Sequence, residues 1–320
     1  MNIRKVLSLF LSFVCGAGVV SGCSPKDMNN SSVSQQNIKA GDILKMMKKD
    51  KSVVISDKHI VGSFKLHEAG EGAKALDVSP SYVDCEIVFV NCVFDDDVIA
   101  CETVADGRQI LYSVFSRNVT FRQCIFQKSV NFHQCQFAGR ACFDGSVFKD
   151  NVDMGSSSFD GGVSFAKSSF ELEVSFQNMA VSSLLSLLRA DFRYNVNFQS
   201  ARINCDGIFI DASFGGFVDL SNSYVCGALN FTNAVFASRV ECIGGYFAGN
   251  ISLNKCKFND MVTVSKNIVV GNVGLYAAHL AKALVARENR LISRPDIEDL
   301  TYGEGFSMQK SDNVIMNRLF

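Results

Sequence analysis

From Phe115 onward the chain places an apolar residue at alternating steps of six and five: Phe115, Phe121, Phe126, Phe132, Phe137, Phe143, Phe148, Met154, Phe159, Phe165, Phe170 and Phe176. The stepping continues without insertion through Val181, Leu187, Phe192, Phe198 and Ile203 to Leu275, giving thirty apolar stops of which nineteen are Phe. Two residues before the six-step stops the usual residue is Val, as at Val119, Val130, Val152, Val163 and Val174. Before the five-step stops the residue is small, as at Cys124, Cys135, Ser146, Ser157 and Ala190. Residues two apart point the same way from an extended strand, so each short strand turns a pair inward. Polar residues and Gly separate the pairs, as in Phe159-Asp160-Gly161-Gly162. They predict a corner after every pair, with Gly supplying positive φ. An eleven-residue period also suits a right-handed helical coiled coil. That structure needs apolar residues three and four apart in a helix-forming composition, whereas Val, Phe, Gly, Ser and Asn dominate here. The pattern is a repeat in which each unit buries its apolar side against its neighbours.

Stretches such as Val130-Asn131-Phe132-His133-Gln134-Cys135-Gln136-Phe137 and Val163-Ser164-Phe165-Ala166-Lys167-Ser168-Ser169-Phe170 resemble pentapeptide-repeat proteins. The closer likeness is to the variant in which five- and six-residue units alternate. The resemblance implies an all-β fold: a right-handed quadrilateral parallel β-helix, a solenoid whose shaft is filled by the inward pairs. It brings no shared catalytic residue. Four sides take twenty-two residues, and coils ~4.8 Å apart predict a rod of roughly 40 Å.

Residues 115–275 form the regular run, preceded by N-terminal coils over 53–114. There Ile55, Ile60 and Leu66 begin the stepping, an insertion loop occupies 67–82, and Phe89 and Phe94 resume. Asp95-Asp96-Asp97 sits in a corner that shifts the register by one, before Ile99, Val104 and Ile110 rejoin the count. Residues 38–52 carry Ile43, Leu44, Met46 and Met47 among lysines, which predicts a short amphipathic helix covering the open N-terminal strand edges. Residues 276–320 are read as a C-terminal capping helix and tail, because Tyr276 to Leu291 carries apolar residues at helical spacing.

Residues 1–22 lie outside this pattern. Arg4 and Lys5 precede an apolar stretch from Val6 to Val20, too short to span a bilayer comfortably, and Val20-Ser21-Gly22-Cys23 looks like a bacterial lipobox. The expectation is a lipoprotein signal peptide with lipid on Cys23, then a flexible tether over 23–37 rich in Ser, Asn and Gln. An ordinary secretory signal with a chance Cys is the competing reading. Charge, length and tetrapeptide together favour lipidation. Ser24 follows the sorting pattern for the outer membrane, and the periplasmic or surface face is left open.

Loss of residues 1–22 leaves a net charge near −3, and residues 115–275 carry 13 basic against 12 acidic groups. Neither a phosphate-tracking surface nor the acidic DNA mimicry of some relatives fits that balance, so no nucleic-acid partner is expected. Cys124, Cys135 and Cys256 fall on the small inward position and Cys242 on the large one, where thiols act as small hydrophobes. No two core Cys lie twenty-two residues apart, so no stacked pair is expected.

His59, His67, His133 and His279 are scattered, and His133 should point outward. Gly70-Glu71-Gly72-Ala73-Lys74-Ala75 lacks the strand-then-helix setting of a phosphate loop. Consecutive aspartates at 95–97 alternate in direction, which suits a solvated corner better than Ca²⁺. No catalytic residue, metal site or cofactor is expected. One surface row stands out: Arg202, Tyr224 and Tyr246 are spaced by twenty-two, forming an outward column that would bind a protein or a sugar face, or simply stack on itself. The expected function is a non-enzymatic, lipid-anchored structural or partner-binding protein of the cell envelope. The alternative is a β-helix that binds or degrades polysaccharide.

Overall fold

The computed structural model describes residues 36–72, 78–104 and 109–316. Residues 1–22 and Cys23 lie outside them. Gln36 and Asn37, expected in the tether, belong to the strand Gln36–Lys39.

The chain winds through four faces in the order of the sequence. Face 1 begins at Ser52–Ser56, face 2 at Gln36–Lys39 and Lys58–Val61, face 3 at Phe64–Lys65, and face 4 at Val78–Val83. Their sheets hold ten, twelve, eleven and twelve strands respectively, and each strand of the shaft pairs in parallel with the next coil. The fold is a four-sided β-solenoid with little helix. Through the regular run the register is twenty-two residues, as in Phe126↔Phe148 and Phe148↔Phe170. At ~4.8 Å per strand, a twelve-stranded face extends about 53 Å, longer than the 40 Å expected.

The stops point into the shaft. Twenty-five of the thirty are buried, and the half-buried five, Leu220, Cys242, Leu253, Val264 and Leu275, all come late in the run. On face 2 the rings stack along the axis: Phe126 on Phe148 at 4.7 Å, Phe148 on Phe170 at 4.7 Å and Phe170 on Phe192 at 4.6 Å, each within 5° of parallel. The small inward position does more than save space. Ser146 Oγ donates to the Phe121 carbonyl (2.8 Å), Ser168 Oγ to Phe143 (2.7 Å) and Cys256 Sγ to Phe231 (2.9 Å). Each satisfies a buried polar atom in the coil before. Toward the C-terminus the same position carries Asn267 and Asn289. Asn267 Nδ2 donates to the Cys242 carbonyl (2.8 Å) and to Asn289 Oδ1 (3.1 Å), and Asn289 Nδ2 donates on to Asn313 Oδ1 (2.8 Å).

The corners differ from expectation. In the regular run positive φ recurs at every eleventh residue, after the six-step stops, and most of these positions are not Gly: Gln134 (57°), Ser156 (58°), Lys167 (60°) and Asn178 (57°) are typical. Gly162 (83°), after the five-step stop Phe159, is positive as expected. The turn from Phe132 is closed by Cys135 N–H donating to the Phe132 carbonyl at 3.1 Å, with Gln134 third in the turn, where φ must be positive. Gln134 N–H also donates to the Gly155 carbonyl of the next coil at 2.9 Å, which offsets the cost of the left-handed backbone. Gly serves the corners between faces 4 and 1 for another reason: a Cβ at Gly249 would lie 2.0 Å from the Gly227 carbonyl oxygen.

At the N-terminal end, helix α1 (Ala40–Lys49) buries Ile43, Leu44 and Met47 and leaves Met46 outside. A ten-residue helix is marginal alone and is held by this packing. The C-terminal helix does not form. His279–Leu280, Ala283–Arg287 and Arg290–Leu291 are strands paired with the coil before, and Thr301–Tyr302, Ser307–Ser311 and Val314–Ile315 make a further coil. Leu275, Leu280, Ala286 and Leu291 prolong the five–six stepping, and a waiting strand edge with that register outweighs apolar spacing of three and four.

The N-terminal coils hold two excursions, both at the corner from face 3 to face 4. The first runs through a helical turn, Leu66–Ala69, into Val78–Val83. The second is an antiparallel hairpin of Cys101–Val104 and Gln109–Phe115, which takes Val104 and Ile110 out of the shaft. Asp95-Asp96-Asp97 causes no register shift: Ala100 is the inward residue, fully buried, while Ile99 pairs with Asn131 and is not the inward stop. Register across the excursions lengthens, with Val53↔Ile87 and Ile87↔Val119 replacing the regular spacing. This places Cys124 beside Cys92 in the preceding coil, next to the pair Ile125↔Val93, and corrects the expectation that no core Cys stack.

Phe165→Ala is expected to cost about 3–5 kcal/mol. At the left-handed corner two residues on, Lys167→Gly is expected to stay within about 1 kcal/mol of wild type, and β-branched Lys167→Val to lose about 1–2 kcal/mol. Urea denaturation of the three variants checks the ordering. Equal losses for Phe165→Ala and Lys167→Gly would contradict the shaft assignment.

Candidate functional site

The two excursions stack on each other: Val78–Val83 pairs along its length with Ile110–Phe115. Between them and α1 lies a cleft of about 710 Å³, with Lys48, Lys65, His67, Glu68, Ser81 and Glu102 among its walls. Lys65 Nζ donates to both Glu102 oxygens, at 2.8 and 2.9 Å, and His67 Nε2 lies 3.4 Å from Glu102 Oε2. The hydrogen bond to Glu102 holds the Lys65 ammonium above its ordinary range. Burial pushes the His67 imidazole down, against the opposing pull of Glu102 and Glu68, and its side chain is 5 % exposed. Ser81 Oγ donates to the His67 backbone carbonyl at 2.5 Å. A hydroxyl spent on the backbone is not activated by the ring, so the cluster fails as a nucleophile–base pair and instead ties the two excursions together.

Face 3 carries the most regular surface polarity, and its groups are consumed locally. Asn131, Asp153, Asn197 and Asp219 each accept from the backbone N–H two residues on, at 2.8–2.9 Å, steadying the corner. Between coils, Glu173 N–H donates to Asn151 Oδ1 (3.2 Å) and Asn195 Nδ2 to Glu173 Oε1 (3.0 Å). His133 Nδ1 is 3.2 Å from Asp153 Oδ2, with 38 % of its side chain exposed. The three consecutive aspartates separate in the same way: Asp95 lies 3.2 Å from His59 Nδ1, Asp96 accepts from Gly62 N–H, and Asp97 accepts from the Ser129 N–H and hydroxyl. No group of acidic, His and Cys side chains among the described residues suits a metal.

Arg202, Tyr224 and Tyr246 fall in consecutive register on face 4. The tyrosine rings are 5.1 Å apart and 11° from parallel, so each covers one face of the other and the ladder offers mainly edges and hydroxyls to a partner. A hydrogen bond with Cys226 raises the Tyr224 phenol. The row goes on through Ile268, Arg290 and Val314, all exposed, whereas the same row earlier holds Gln136, Ser158 and Ala180. Sequence spacing found the tyrosine row. It missed the Lys65, His67 and Glu102 cluster, whose members come together only once the excursion lengths are known.

A family model described as pentapeptide repeats (9 copies) matches residues 111–157, where the regular stepping begins. No curated protein and no solved structure matches the chain. Solenoids of the matched kind are generally non-enzymatic, and the fold suits a structural or binding role.

His67 sets a pH dependence. Its folded pKa lies below the unfolded value of 6.5, so its contribution is complete above pH 6.5 and is lost as pH falls below it. Protection factors for Val78–Val83 and Gln109–Phe115, taken after correction for the intrinsic pH dependence of amide exchange, are expected to be lower at pH 5 than at pH 7.5, and His67→Gln is expected to flatten the difference. An unchanged pH difference in the variant would rule His67 out as its source.

Proposed function

We propose that the chain is a non-enzymatic, lipid-anchored β-helical element of the bacterial cell envelope, acting as a structural or partner-binding rod. The observation that carries the role is the use of the surface polar groups: on face 3 the Asn, Asp and Glu side chains bond their own corners and neighbouring coils rather than converging on a reaction centre. The anchoring rests on Arg4, Lys5, the apolar stretch to Val20 and the tetrapeptide ending at Cys23. Ser24 supports the outer membrane over the inner. Through that lipid the membrane is one partner. A protein is the other that the rod suits best, docked on a flat face of side chains held at strand spacing.

Polysaccharide binding is the second reading, favoured by the row Arg202, Tyr224 and Tyr246. Because the rings lie on each other, contact would come through the hydroxyls, the ring edges and the guanidinium.

Growth with an alkyne-bearing palmitate is expected to label the wild-type chain, and Cys23→Ala is expected to abolish both label and membrane retention. A labelled Cys23→Ala chain would overturn anchoring at this residue. Tyr224→Ala with Tyr246→Ala is expected to cost no more than about 1 kcal/mol in stability and to weaken binding to a glycan array or to proteins cross-linked in the envelope. Undiminished binding in both formats would remove the row as a contact site.

A further inference from the structure

Cys92 and Cys124 belong to adjacent coils although thirty-two residues separate them, because the hairpin excursion lies between. Each sits two residues before a five-step stop, Phe94 and Phe126, whose rings stack at 5.0 Å. Val93 pairs in parallel with Ile125, whose N–H donates to the Cys92 carbonyl at 2.8 Å. The two backbones are therefore about one strand spacing apart, ~4.8 Å, within the roughly 4.4–6.8 Å between Cα atoms that a disulfide spans. Both side chains are fully buried and point into the same shaft.

We propose that Cys92 and Cys124 are a disulfide pair, which closes when the folding chain meets an oxidant that itself carries a disulfide. Cys92 Sγ donates to the Val90 carbonyl (3.4 Å) and Cys124 Sγ to the Arg122 carbonyl (3.5 Å), and the neighbouring Cys124 thiol holds Cys92 below its ordinary range while Cys124 is raised in turn. Burial, the largest influence on them, pushes other buried thiols the opposite way, Cys205 to about 11 and Cys256 to about 12. Before the shaft closes, the Cys92 thiolate attacks one sulfur of the oxidant, forming a mixed disulfide and freeing the other oxidant sulfur as a thiolate. Cys124, losing its proton to that thiolate or to solvent, then attacks the Cys92 sulfur. The Cys92–Cys124 bond forms, the second oxidant sulfur leaves as thiolate, and the oxidant has gained two electrons. Exchange precedes closure of the shaft, since neither sulfur is exposed afterwards. The bond ties the coil that bears the hairpin to the start of the regular run.

The test uses the purified full-length chain, refolded with oxidised and reduced glutathione, then unfolded in denaturant containing N-ethylmaleimide so that buried thiols are trapped, and digested for mass spectrometry. The Cys92 and Cys124 peptides are expected to be linked, with Cys85, Cys142, Cys205 and Cys256 alkylated. The oxidised chain is expected to melt roughly 5–10 °C above the reduced one. That shift should vanish in Cys92→Ser and in Cys124→Ser. Alkylation of both thiols in the refolded wild type, or a scrambled set of links, overturns the pairing without need of a variant. The pairing does not depend on the anchoring reading: a chain that forms this bond yet takes no lipid label refutes the anchor alone.

Discussion

Parallel strands hydrogen-bond ~4.8 Å apart, and aromatic rings stack comfortably at the same separation; this coincidence is what the structure depends on. On face 2 the column Phe94, Phe126, Phe148, Phe170, Phe192, Phe214, Phe236 and Phe258 keeps centroid spacings of 4.6–5.2 Å with rings nearly parallel. Each backbone rung brings the next ring to its stacking distance, and each ring fixes the register of its rung. A slip of one residue would turn the whole column to solvent. Backbone and side chain thus specify the same coil, and the repeat tolerates no drift between them.

The same stacking governs the surface. A residue type repeated every twenty-two positions meets its own kind, so side-chain amides and carboxylates bond along the rod before they can serve an external ligand, as Asn151, Glu173 and Asn195 do. The corners follow this logic. Gln134, Lys167 and Arg189 occupy left-handed backbone without the freedom of Gly, because the inter-coil hydrogen bond of each corner holds it there. What remains free for recognition is what stacking leaves over: the edges of Tyr224 and Tyr246, the guanidinium of Arg202, and the irregular cleft where the coils are interrupted.

The shaft was legible because its stops are nearly uniform; the four-sided parallel architecture followed from spacing and resemblance. The left-handed corners were not, since Gln, Ser, Lys, Asn and Arg share the position and only its eleven-residue period marks it. A period exists there to be found, but no residue type announces it. The excursions hid more. Counting by twenty-two from Cys92 lands on Val114, whereas the paired backbone puts Cys124 beside it, and the ten extra residues are invisible until Ala100 is known to be inward. Lys65, His67 and Glu102 were obscured by the same offset. At the far end, apolar residues three and four apart after Tyr276 suggested a helix, although Leu275, Leu280, Ala286 and Leu291 still kept the solenoid count.

The shaft also changes character along its length. On face 3 the inward residues run Phe132, Met154, Phe176, Phe198, Leu220, Cys242, Val264 and Ala286, a decline in volume that matches the loss of full burial after Phe198. As the rings give out, Asn267 and Asn289 enter the neighbouring small position and bond one another and the carbonyls of Cys242 and Val264. Polar bonding replaces ring packing as what holds these coils together. Because a solenoid's stability is approximately a sum of local and nearest-neighbour contributions, the two halves need not open together. The half with α1 over its end and phenylalanines in its centre is the more strongly held, and the coils beyond Leu220 are the ones whose cohesion depends on each buried amide keeping its partner.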